Sequence, residues 1–152
     1  MAHPEENLAR LGLSVPEVAA PVASYVPAVR SGNHVFTSGQ LPMRGGELIA
    51  TGKVGGEVTP EEAKECAQQC ALNAIAAVKA EIGDLAQIVR VVKVVCFVAS
   101  TPDFTGQPQV ANGASDLFGE VFGDRGVHAR SAVGVPALPL DAPVEIEIVV
   151  EV

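Results

Sequence analysis

TPEEAKECAQQCALNAIAAVKAEIGDLAQIVRVVKVVCFVAS, residues 59–100, carries the reading on which the fold turns. Thr59 is a good helix N-cap, Pro60 suits the first helical position, and Glu62 completes a capping box. Apolar residues at 63, 66, 67, 70, 71, 74, 75 and 78 make one continuous stripe, and Gly83 supplies a stop. The pattern predicts a helix over 60–82. Apart from Ile75 and Val78 the stripe is almost all Ala or Cys, so this helix can lie close against a sheet. Residues 89–99 are β-branched and nearly all apolar, which predicts a strand in the middle of that sheet.

Working outward, a second helix is expected over 107–122, with Val110, Ala111, Ala114, Leu117, Phe118, Val121 and Phe122 on one side. Residues 129–135 read as a strand. In residues 144–152, Val144, Ile146, Ile148, Val150 and Val152 alternate against Glu145, Glu147, Val149 and Glu151. Upstream, residues 25–29 and 34–38 flank the turn signal Ser31-Gly32-Asn33. After Arg44-Gly45-Gly46 a third strand is expected at 47–50, completing an antiparallel meander. The order β-β-β-α-β-α-β-β predicts an α+β two-layer sandwich, two helices on one face of a mixed sheet. Residues 1–23 read as a lead-in, with a helical turn at 7–13 and Pro16 and Pro21 keeping the chain extended. Residues 24–152 form a single domain.

The chain has 152 residues, ten Lys+Arg against eighteen Asp+Glu and a net charge of -8. With Phe five, Tyr one and no basic run, nucleic acid is a poor partner. No apolar run approaches a membrane span of about 20 residues, and no secretory signal is present, so a cytoplasmic protein is expected. Cys66, Cys70 and Cys96 read as small core residues in a reducing compartment. Several strands are apolar on both faces, which calls for covering the second face by oligomerisation.

Phosphate-loop, dinucleotide, zinc-protease and nucleophile-elbow motifs are all missing from the sequence, and the three histidines are scattered. His3 is expected to be disordered and His34 solvated. The dense stretch that remains is His128-Ala129-Arg130-Ser131-Ala132-Val133-Gly134-Val135, then Leu138-Pro139, then Val144-Glu145-Ile146-Glu147. An arginine in a strand of small residues needs a partner that matches its planar fork. Glu145 or Glu147 on the neighbouring strand would give a structural pair. The carboxylate of a ligand would serve equally.

This stretch resembles the C-terminal signature of the Rid family, the reactive intermediate deaminases also called YjgF or L-PSP endoribonuclease. Tyr25, Ala28-Val29, Gly32-Asn33 and the run Val35-Phe36-Thr37-Ser38-Gly39-Gln40-Leu41-Pro42 resemble its N-terminal half, and the lead-in is similar to that of a longer subgroup. The resemblance implies a chorismate-mutase-like fold and a homotrimer with sheets facing inward and sites at the subunit clefts. It also implies hydrolysis of 2-imino or 2-enamino acids to 2-oxo acids and ammonia. Arg130 would clamp the carboxylate and Glu145 would lie near the attacking water. Tyr25, Asn112, Ser38 and a backbone group at Ala132 would border the substrate, with no metal or organic cofactor. Ala132 stands where many deaminating members have Cys, His128 where Pro is common, and Gly134 where a larger residue is common. Two other readings are a non-catalytic binder of small carboxylate metabolites and, with less support, an endoribonuclease.

Overall fold

A computed structural model describes residues 2–20 and 23–152. Helix α2 (Pro60–Ile82) begins where its cap residues place it: the Thr59 hydroxyl oxygen accepts from the Glu62 backbone N–H at 3.2 Å and donates to the Glu62 carboxylate. It ends at Gly83, whose φ of 88° is open to glycine at little cost. Helix α3 (Gln107–Phe122) packs across it. A Cβ at Gly113 of α3 would overlap the Lys64 carbonyl oxygen, so this glycine lets the two helices come close.

Both helices cover one face of a five-stranded sheet. Its strands are β1 (Ala28–Ser31), β2 (His34–Thr37), β5 (Arg90–Ala99), β6 (Ala129–Val135) and β7 (Val144–Glu151), in the order β1-β2-β7-β5-β6. Only β5 and β6 run parallel, joined across α3. Val35, Val94, Cys96, Ile146, Ile148 and Val150 point at the helices and are buried. On β7 the expected alternation holds residue by residue, buried then half-buried. All three cysteines are buried and free, and burial pushes the Cys66 thiol up to about 11 and the Cys96 thiol up to about 12. As thiols rather than thiolates they are inert filling for the core.

Three expectations need correcting. The third strand does not extend the meander. β3 (Met43–Arg44) and β4 (Glu47–Leu48) form a separate two-stranded hairpin. Asn73 of α2 causes this, because its side-chain amide donates to the carbonyls of Leu41 and Met43 at 2.9 and 3.0 Å and holds the hairpin on the helix. The N-terminal helix α1 is Pro4–Arg10 rather than 7–13, since Pro4 opens it and the His3 ring accepts from the Glu5 N–H at 3.1 Å. His3, expected to be disordered, is thereby fixed, and its other ring nitrogen meets Asp84 at 2.8 Å. Leu8 of α1 is fully buried in the core. Pro21, expected to keep the lead-in extended, lies outside the described residues. No helix among them is long and apolar enough to cross a membrane.

The face turned away from the helices carries Val29, Phe36, Val149, Val95, Phe97 and Val133, of which Val29, Phe36 and Val133 are exposed.

Candidate active site

Strand pairing places the two candidate catalytic groups on different faces of the sheet. Arg130 pairs with Val94, which pairs with Ile148, so Arg130 points to the helix side. Glu145 pairs with Phe97, which pairs with Val133, so Glu145 points to the open side. β5 lies between β6 and β7. The cross-strand pair of Arg130 with Glu145 or Glu147 is therefore ruled out, because their strands are not neighbours. No Asp or Glu among the described residues makes an ion pair with Arg130.

Around Arg130 the partners are neutral. Its Nη1 donates to the Asn112 side-chain oxygen at 2.7 Å and to the Ser115 hydroxyl oxygen at 3.1 Å. Asn112 and Ser115 stand three residues apart on α3, so the helix presents both to β6. Ser115 in turn meets His128 Nε2 at 2.8 Å, and His128 Nδ1 lies 2.6 Å from the Gly126 carbonyl. A carbonyl only accepts, so Nδ1 carries the hydrogen; in the neutral ring Nε2 then accepts from the Ser115 hydroxyl. The Ser115 oxygen is left to receive Arg130. Both N–H groups of Nη1 are thus committed, and the Nε–Nη2 edge has no acceptor among the described residues. That edge is the fork that grips a carboxylate with two parallel hydrogen bonds. Ala132 pairs with Cys96 and so shares the face of Arg130. Gly134 follows on that face, where Gln107 Nε2 and Ser100 Oγ stand 2.8 and 2.9 Å from the position of a Cβ, which accounts for the small residue.

Glu145 belongs to a second cluster, with Tyr25, Gly39 and Gln40 beside one cavity. Gln40 exchanges backbone hydrogen bonds with Ile146 at 2.7 and 3.0 Å, which lays the loop after β2 along the start of β7. Gly39 then sits so near that a Cβ would overlap the Glu145 carboxylate. Ser38 ties in the strand entry: its N–H donates to Pro27 O at 2.8 Å and its hydroxyl to Val26 O at 2.6 Å. Burial first, and then repulsion from Glu147, holds the Glu145 carboxyl above its ordinary range. A half-buried carboxylate of this kind is a fit general base. Among the described residues no group of three or more His, Cys, Asp or Glu is arranged to hold a metal ion.

The six residues singled out from sequence thus fall into two groups within one chain: Arg130, Asn112 and Ala132 in one, and Glu145, Tyr25 and Ser38 in the other. Ser115 and Gly39 were missed. Ser115 is one serine on an amphipathic helix, and only its place three residues after Asn112 signals a role. Gly39 was quoted within a motif, but its closeness to Glu145 depends on a long-range strand contact.

Helices on one face of a mixed sheet, with an arginine on its edge strand, make an α+β two-layer sandwich of the chorismate-mutase-like class. Residues 5–152 match a family model described as "YjgF/chorismate_mutase-like, putative endoribonuclease". The chain belongs to this YjgF or Rid family. A crystal structure of the protein Atu1372 of unknown function, from Agrobacterium tumefaciens, is 47% identical with a TM-score of 0.93, covering 98% of this chain and 92% of that one. A 2-iminobutanoate/2-iminopropanoate deaminase from Dermatophagoides farinae is 34% identical, over 91% of this chain and 93% of its own. E. coli TdcF, solved with bound serine, is 25% identical with a TM-score of 0.68, covering 90% of this chain and 94% of that one.

Proposed function

We propose that the protein hydrolyses 2-imino and 2-enamino acids to 2-oxo acids and ammonia, at clefts that join the Arg130 cluster of one copy to the Glu145 cluster of the next. The observation that carries this reading is the free fork of Arg130, held in place by neutral partners alone. The separation of the two clusters within one chain supports a site shared between copies, and the open apolar sheet face supports a homotrimer with sheets turned inward. The named activity of the mite relative and the amino acid bound to TdcF support a small carboxylate as ligand. Three free, buried thiols fit a reducing, cytoplasmic setting.

The chemistry asks for orientation and for water. Arg130 fixes the carboxylate through two N–H···O bonds, so the imino carbon stands at a defined place, an effect worth several kcal/mol. Glu145 takes a proton from water as its oxygen bonds to that carbon. Glu145 passes that proton to the nitrogen of the tetrahedral adduct. As the carbonyl forms, the hydroxyl gives up the second water proton to the nitrogen through the same carboxylate, and ammonia leaves with both. Arg130 neither gains nor loses a proton. The ribonuclease in the family's description finds little support here: the net charge is -8, and the one cation of the Arg130 cluster is set for a carboxylate.

The test is release of ammonia from 2-iminopropanoate generated in situ by an amino-acid oxidase. Wild type should accelerate it. Arg130→Ala should lower kcat/KM by about 10²-fold or more, the worth of two hydrogen bonds to a charged group, without loss of fold by circular dichroism. Equal rates for the two proteins would remove Arg130 from the mechanism.

A further inference from the structure

Residues 16–20 and the β3–β4 hairpin face each other across a cavity of about 610 Å³, whose lining also includes Tyr25, Gly39 and Glu145. That volume is typical of a small-molecule site. The hairpin wall is held firmly by Asn73, and Gln69 links Asn73 to Arg44, accepting from the Arg44 Nε at 3.1 Å. The opposite wall is Val18, Ala19 and Ala20. Among the described residues this segment makes no hydrogen bond, and the chain leading to it is held by Leu13 and Val15 packed on the core.

Away from Glu145 the lining is largely apolar, with Val18, Ala19, Leu41, Met43 and Pro139. Its cation, Arg44, is already engaged with Gln69 and lies 3.7 Å from Glu65. Besides Glu145 the acidic group of the lining is Glu17, which is exposed, so an acidic substituent would meet like charge, and a basic one would leave water for a solvent-facing partner worth little. The methyl of 2-iminopropanoate or the ethyl of 2-iminobutanoate would leave most of the space unfilled. A longer or branched hydrocarbon would cover more of its apolar lining.

We infer that this cavity is the side-chain subsite of the hydrolytic site, and that the wall formed by residues 16–20 selects 2-imino acids bearing long or branched apolar side chains. The inference rests on the reading that a 2-imino acid is hydrolysed beside Glu145. The N-terminal segment then contributes specificity, in addition to packing.

The experiment compares kcat/KM for the imino acids made in situ from leucine and from alanine, in wild type and in Val18→Asp, with calorimetric binding of 4-methyl-2-oxopentanoate and pyruvate to both proteins. Wild type should favour the leucine-derived substrate by about tenfold or more, as extra methylenes in an apolar pocket allow. In Val18→Asp, an exposed position that tolerates charge, that ratio should collapse toward one. Turnover of both substrates by wild type with no preference, or a ratio that Val18→Asp leaves intact, overturns the subsite and leaves the hydrolytic reading standing. Should wild type turn over neither, the hydrolytic reading falls. Tighter binding of 4-methyl-2-oxopentanoate, weakened in Val18→Asp, would then still uphold the subsite, and equal or absent binding would overturn it.

Discussion

Glu145 sits half-buried on β7, with Gly39 packed against its carboxylate and Glu147 on the same face two residues on. Because its carboxyl is raised in the folded chain, the native state binds this proton more tightly than the unfolded state does. Stability from this group is therefore present below the ordinary carboxylate range and is lost as pH rises through the raised folded value. Glu145→Gln removes the ionisation, so its melting temperature relative to wild type should be higher at pH 7.5 than at pH 4. An equal difference at both would count against a raised carboxyl. Imine hydrolysis by the same variant should fall about 10²- to 10⁴-fold, the usual worth of a general base. Ser115 acts one step back, receiving Arg130 while His128 takes its hydrogen. Ser115→Ala should raise KM for the imino acid about tenfold with a smaller change in kcat, in keeping with one lost hydrogen bond to a charged group. Ser115→Thr, which restores the hydroxyl, should recover it. A Ser115→Ala enzyme with unchanged KM would show that Asn112 alone holds the guanidinium.

Elements whose ends are set by their own residues were legible in the sequence. α2 and α3 occupy the predicted spans, because Thr59, Pro60 and Gly83 bound the first and an unbroken apolar side runs through the second. The departures come from distant partners. The β3–β4 hairpin leaves the sheet because Asn73, thirty residues downstream of Met43, captures its carbonyls. α1 starts early because His3, beside Pro4, caps it through a contact only two residues long, and because the distant Asp84 steadies His3, which no local pattern announces. The fully buried Leu8 joins α1 to the core, and Lys79 of α2 pairs with Glu5 at 2.7 Å. Leu8→Ala should therefore cost about 2–5 kcal/mol of unfolding free energy in urea, the range for a leucine removed from a packed core. A cost near zero would mark residues 1–23 as a mere lead-in.

At the scale of the whole molecule, Arg130, Asn112 and Glu145 were each legible in the sequence, but their separation was not. It follows from β5 standing between β6 and β7 and from one residue's worth of pleat, which puts Arg130 and Glu145 on opposite faces. Pattern along one strand tells which residues share a face, whereas strand order is a global outcome. Under the proposed mechanism, neither cluster works without a second chain. Phe36, 45% exposed on the open face, stands between Val29 and Val149 in the apolar surface. A carboxylate there would be desolvated in the proposed inward-facing trimer, a cost of several kcal/mol per chain. Phe36→Asp should sediment at the mass of one chain where wild type sediments at three, keep its circular dichroism, and lose imine hydrolysis although Arg130 and Glu145 are both present. Mixing it with an Arg130→Ala protein tests whether the surviving clusters can still meet, and no activity should return, because the interface itself is broken. Full activity in a monomeric Phe36→Asp protein would mean that one chain carries the whole site, and the shared cleft would have to be abandoned.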